Sequence, residues 1–229
     1  MNIERTLFWF KDGDDMLIEL NSDFFDLGVL LNRLLNEKYD GKKIKFINLD
    51  FATYKTYELH PVLPKEEFYY RGGHLRYYGV FDKQQFEMLS KVEQNKYVWC
   101  RAYQYLCKSA KSIKNEKLLK ASEYAYKRGI EIDMNPDYKV VETSVSYLGM
   151  QLEASIWINF KDDGIYSKLE LEKNGVVVFE KNIDKARKGV EFFLEMYKKI
   201  EMEENDLVIK GHKDVEYLPL RIPLEKMVL

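Results

Sequence analysis

The 229-residue chain is poor in the residues that announce chemistry: it holds two cysteines and three histidines. Cys100 and Cys107 stand seven positions apart on a predicted helix. Two helical turns are about 10 Å of rise, too far for a bridge between them. Reduced thiols are expected, and with them a cytoplasmic location. His60, His74 and His212 fall in no His-x₃-His or Cys-x₂-Cys spacing, so neither a metal ligand set nor a required cofactor is expected. No G-x-S-x-G elbow, Walker loop or G-x-G-x-x-G occurs, and no catalytic residue is assigned. No apolar run reaches the roughly 18 residues of a membrane-spanning helix. No apolar segment follows a basic start, so no signal peptide is expected. A net charge of −2 sets up no global field toward a polyanion or a membrane.

What the chain does carry is a soluble, globular composition, with 46% hydrophobic and 32% charged residues. Aromatic residues reach 14%, with 17 Tyr and 13 Phe. Such side chains serve cores and binding surfaces alike.

The clearest structural pattern lies in residues 138–182. Val141, Thr143, Val145 and Tyr147 alternate with polar neighbours, and Leu152, Ala154, Ile156, Ile158 and Phe160 repeat the period after Gly149. Turns at Asp162-Asp163-Gly164 and Asn174-Gly175 separate two further strands, the second turn supplying the positive φ angles of a tight hairpin. We read a four-stranded antiparallel meander. Ala186, Val190, Phe193, Tyr197 and Ile200 then form one apolar stripe at helical spacing. That stripe predicts an amphipathic helix over 184–200 covering one face of the sheet.

The remainder reads more coarsely. A hairpin around Asp12-Gly13, a helix from Ser22 or Asp23 to about Lys38, a strand over 44–51 and a strand pair over 68–81 make a mixed α/β lobe, residues 1–81. A helical pair occupies 82–129, with Gly129 as the expected stop of its second helix. The tail from Val215 to Leu229 is apolar enough to pack on the body, and Pro219 and Pro223 would place it at an edge or across a surface. The fold class is therefore α+β: one unit with lobes 1–81, 82–129 and 138–229.

Two features bear on function. The string from Tyr69 to Gly79 sets Tyr69, Tyr70, Arg71, His74, Arg76, Tyr77 and Tyr78 around Gly72-Gly73. Tyr and Arg most often carry interface energy, and arginines among stackable rings also suit single-stranded nucleic acid. A plain hairpin, with tyrosines in the core and arginines covering it, explains the same string. Charge is also uneven. Residues 1–40 carry nine acidic and four basic side chains, a net −5, whereas residues 83–128 carry eleven basic and four acidic ones, a net +7. Basic helices could meet phosphates or an acidic partner, or be neutralised by the acidic N-terminal lobe.

The expected function is a non-enzymatic cytoplasmic protein that binds another protein through a charged aromatic surface, in the manner of a bacterial inhibitor or immunity protein. The alternative is a nucleic-acid- or nucleotide-handling protein, an enzyme included, built on the Tyr69–Gly79 loop and the basic 83–128 helices. Glu66 or Glu67 would be its carboxylate and His60 or His74 its base. A pocket gathering His74, Arg71 and a carboxylate would favour the alternative. A flat aromatic and charged patch would favour the protein binder.

Overall fold

The computed structural model describes residues 2–224. The last five positions of the apolar tail lie outside the described residues. Helices and antiparallel sheets are both present, an α+β class, and the chain divides into two compact units, Met1–Pro136 and Asp137–Leu229.

In the first unit, β1 (Arg5–Asp12), β2 (Asp15–Met16), β3 (Phe46–Ala52), β4 (Glu67–Arg71) and β5 (His74–Val80) make one sheet, ordered β2-β1-β3-β5-β4. β1, β3 and β5 run parallel, and β2 and β4 are antiparallel edges. Parallel neighbours require crossovers. α1 (Ile18–Asp23) and α2 (Phe25–Asn36) lead to β3, and α3 (Tyr54–Leu59) precedes the β4–β5 hairpin. The expected N-terminal hairpin is thus shorter than read: β2 is two residues long and Ile18–Asp23 is helical.

α4 (Lys83–Glu87), α5 (Lys91–Ser112) and α6 (Glu116–Glu131) complete the unit. Ser90 and Glu93 close α5 with a reciprocal capping box, and the Asn115 side chain caps α6. The period-two alternation of the strands turns Phe8, Phe10, Leu49, Phe51 and Leu75 into one core with α2, α5 and α6. The helical pair thus shares its core with the N-terminal sheet. Gly129, expected to stop α6, lies inside the helix. A Cβ there would come within 2.2 Å of the Trp99 ring, so this glycine exists to let the indole pack. The basic helices are partly neutralised at home: Lys91 meets Asp23 at 3.5 Å and Lys117 meets Asp40 at 2.9 Å.

In the second unit β6 (Tyr138–Tyr147), β7 (Met150–Lys161), β8 (Gly164–Lys173) and β9 (Val176–Ala186) form the antiparallel meander in sequence order. The helix expected over 184–200 is absent. β9 runs to Ala186, a short 3-10 turn spans Glu191–Leu194, and Tyr197–Glu203 is a strand, β10. The physical reason is local. Gly189 adopts φ +90°, outside any right-handed helix, and aromatic Tyr197 and β-branched Ile200 favour the extended backbone of β10. The residues of the stripe still serve the core: Phe193, Tyr197 and Ile200 are buried. β11 (Asp206–Gly211) and β12 (Leu220–Pro223) complete a second antiparallel sheet, ordered β10-β11-β12. β10 lies against β6, so a strand packs beside the meander where a helix was expected. The described part of the tail packs as expected: β12 is an edge strand, and Ile222 and Leu224 are buried.

Candidate functional site

Alternation and register in the first unit place a grid of side chains on the sheet face opposite α2, α5 and α6. Arg5, Phe46, His74 and Arg71 occupy one row across β1, β3, β5 and β4. Leu7, Asn48, Arg76 and Tyr69 make the second row, and Trp9, Asp50, Tyr78 and Glu67 the third. Beyond them Ala52 and Val80 are covered by Tyr57 of α3 and by Leu63. The three rows therefore form a broad face closed at one end only.

The grid is internally wired. Asp50 is 2% exposed and receives Nε of Arg76 at 2.9 Å and a second guanidinium nitrogen at 2.8 Å. Burial lifts the Asp50 carboxyl above the ordinary range, with Arg76 pulling the other way. The guanidinium also lies 5.1 Å from the Tyr78 ring centre. Trp9 donates its indole N–H to Asn48 Oδ1 at 3.2 Å. His74 and Phe46 are ring neighbours at 4.6 Å, and Arg5 approaches the Phe46 ring at 5.8 Å. Gly72 and Gly73, both at positive φ, turn the β4–β5 hairpin, and the Gly73 carbonyl accepts from the N–H groups of Lys45 and Phe46. This brings the Lys42–Lys45 segment beside Arg71 and His74.

The seven residues singled out in sequence therefore separate. Tyr69, Arg71, His74, Arg76 and Tyr78 share the open face. Tyr69, Arg71 and His74 are exposed and Arg76 and Tyr78 half-buried. Tyr77 and Tyr70 do not belong to it. Tyr77 is 1% exposed and stacks on Tyr105 at 4.2 Å among the helices. Tyr70 packs on the same core and donates to the Lys43 carbonyl at 2.8 Å. Trp9, Phe46, Asp50 and Arg5 join the face without having been singled out. The legible signal for Trp9 was the two-sided alternation of β1. For Asp50 it was a carboxylate set in the apolar string Ile47-Asn48-Leu49-Asp50-Phe51.

Glu66 lies on the other side of the sheet, at φ +56°. One carboxylate oxygen accepts from the Val80 N–H at 2.8 Å and from Arg101 at 3.4 Å. The other accepts from the Tyr77 hydroxyl at 3.2 Å and stands 3.8 Å from Lys108. Burial pushes the Tyr77 hydroxyl and the Cys107 thiol up from their ordinary values. A cavity of about 450 Å³ opens here between α5, α6 and the residue before β4. A second, of about 320 Å³, lies near the ends of β1, β3 and β5, with Asp12, Thr53 and Asp82 in its wall. Neither takes Arg71, His74 or Arg76 into its lining. Glu67 stands on the open face opposite Tyr78. His60 pairs with exposed Asp14 at 2.7 Å, and His212 pairs with Asp214 at 3.4 Å in the second unit. Among the described residues no three His, Cys, Asp or Glu side chains are grouped to hold a metal ion, and no helix is long and apolar enough to cross a membrane.

No family model, no curated protein and no solved structure matches the chain.

Proposed function

We propose that the chain is a non-enzymatic protein-binding protein whose working surface is the open sheet face of the first unit. The observation that carries this reading is the gathering of Tyr69, Arg71, His74 and Arg76 with Trp9, Phe46 and Arg5 on one open, ringed and cationic patch. The face holds the cations Arg5, Arg71 and Arg76 against the carboxylates Asp50 and Glu67. That balance favours an acidic protein surface, with exposed Tyr69 and Arg71 as anchors. The free thiols of Cys100 and Cys107 suit the cytoplasm. A bacterial inhibitor or immunity protein, which neutralises a partner by covering its surface, is the kind of protein this arrangement fits.

The test is binding by the intact chain. A partner recovered with wild-type protein should bind directly, with an affinity that falls as salt rises. Tyr69→Ala with Arg71→Ala should weaken it at least tenfold at unchanged melting temperature. A parallel titration with a single-stranded oligothymidylate separates the second class. Micromolar, salt-dependent binding of the oligonucleotide, lost in the same variant, would replace the protein-binding reading with the nucleic-acid one.

A further inference from the structure

We propose that the cavity between α5, α6 and the residue before β4 is a binding site for a small organic anion that carries a flat ring. This site is independent of the open sheet face. Its volume, about 450 Å³, lies within the range of small-molecule pockets, roughly 300–1,000 Å³.

Charge points to an anion. Arg101, Gln104, Lys108 and Lys111 follow one another at i, i+3, i+7 and i+10 along α5 and line the cavity. Two carboxylates, Glu66 and Glu123, face these three cations. Glu66 is already fully engaged by the Val80 N–H, Tyr77, Arg101 and Lys108. Lys111 and Glu123 make no ion pair among the described residues, and three cations against two carboxylates leave one positive charge over at the cavity. Lys108 donates to the Tyr77 hydroxyl at 2.9 Å, which holds its ammonium at the wall. Nε of Arg101 is buried without a hydrogen-bond partner. The guanidinium is nevertheless fixed, donating to the Val80 carbonyl at 3.0 Å.

Shape points to a ring. Tyr77 and Tyr105 are stacked with planes 13° apart, and Tyr103, itself stacked on Tyr126 at 4.4 Å, stands with Leu119 in the same lining. Tyr77 and Tyr105 are buried and back the wall, while half-buried Tyr103 and Leu119 offer a ring and an apolar edge to a planar group. The left-handed backbone of Glu66 adds a third sign. A non-glycine residue at positive φ is strained and tends to persist where a side chain must be aimed. Here it aims the carboxylate that fixes Arg101 and Lys108. The headgroup can be a phosphate or a carboxylate, since both would meet an ammonium and a guanidinium edge equally well.

The experiment is calorimetric titration of the full chain with two ring-bearing anions, adenosine monophosphate and 4-hydroxybenzoate, against their neutral counterparts adenosine and phenol. At least one anion should bind with a submillimolar dissociation constant, and its neutral counterpart at least tenfold more weakly. Which anion binds tells phosphate from carboxylate. Lys111→Ala and Lys108→Ala, both at exposed positions, should each weaken binding at least fivefold with the melting curve unchanged. Tyr69→Ala with Arg71→Ala, on the other face, should leave it intact. Absence of submillimolar binding by both anions, or binding indifferent to both lysine substitutions, would overturn the proposal.

Discussion

Asp50 and Arg76 tie the open face together, and they separate the residues that hold the sheet from those that offer it. Arg76→Ala strands a buried carboxylate, so a loss of about 1–3 kcal/mol in urea unfolding is expected. Tyr69→Ala with Arg71→Ala touches only exposed groups and should stay within about 0.5 kcal/mol of wild type. Equal losses in the two variants would contradict the arrangement. Burial raises the Asp50 pKa in the folded state above its ordinary 3.8. The folded state therefore holds that proton more tightly, and stability from this group is present below pH 3.8 and lost as pH rises through the raised value. Comparing wild type with Asp50→Asn by urea unfolding at pH 3.5 and pH 7, the wild-type chain should lose ground to the variant at the higher pH. A constant difference would show that the carboxyl is not desolvated. Gly129 is a second instance of one residue settling local packing. Gly129→Ala gains about 1 kcal/mol of helix propensity. It also drives a methyl into the Trp99 ring, for a net expected loss of about 1–3 kcal/mol. A more stable variant would mean that Trp99 can move aside.

Among the elements, the sequence was most legible where a single period ran unbroken. The meander strands and the Asn174-Gly175 turn could be read directly, because one buried face forces alternation and a tight hairpin forces positive φ. The stripe from Ala186 to Ile200 misled because its spacing of four, three, four and three fits a helix as well as two strands joined through Gly189 and a 3-10 turn. Periodicity does not register a chain reversal. The parallel order of β1, β3 and β5 was not legible either, since pairing partners so far apart leave no local mark. On the open face, the 69–79 string disclosed five of its residues. Tyr70 and Tyr77 fell to the opposite side by the same alternation. β12 carries an energetic expectation: Ile222, 4% exposed, should cost about 2–4 kcal/mol as Ile222→Ala in thermal or urea unfolding. Less than 0.5 kcal/mol would mean that the edge strand is dispensable. A further expectation concerns acid. Glu201 is held down to about 2 by Lys199 and Lys210, from an ordinary 4.5, and Asp163 to about 2 by Lys185 and Tyr166, from 3.8. Depressed folded values supply stability above the ordinary pKa that fades as pH falls toward 2. Between pH 6 and pH 2.5 the wild-type chain should therefore lose more stability than Glu201→Gln. Parallel curves would remove the clamp from the account.

At the scale of the whole molecule, each unit has its own core, and the uneven charge of the sequence is partly resolved within the first. Acidic Asp23 and Asp40 meet Lys91 and Lys117, which spends helical charge that a phosphate backbone would otherwise attract. The cations on the open face are arranged among rings instead, and this contrast makes a protein partner the favoured reading. The cavity beside Glu66, on the other side of the sheet, is the second site proposed for the first unit. The most direct measurement is the dissociation constant of the recovered partner for wild-type chain and for Tyr69→Ala with Arg71→Ala, taken at two salt concentrations beside the melting temperature of each protein. The account predicts at least a tenfold weakening by the double substitution, a wild-type affinity that falls as salt rises, and equal melting temperatures. Undiminished binding by the equally stable variant would contradict it.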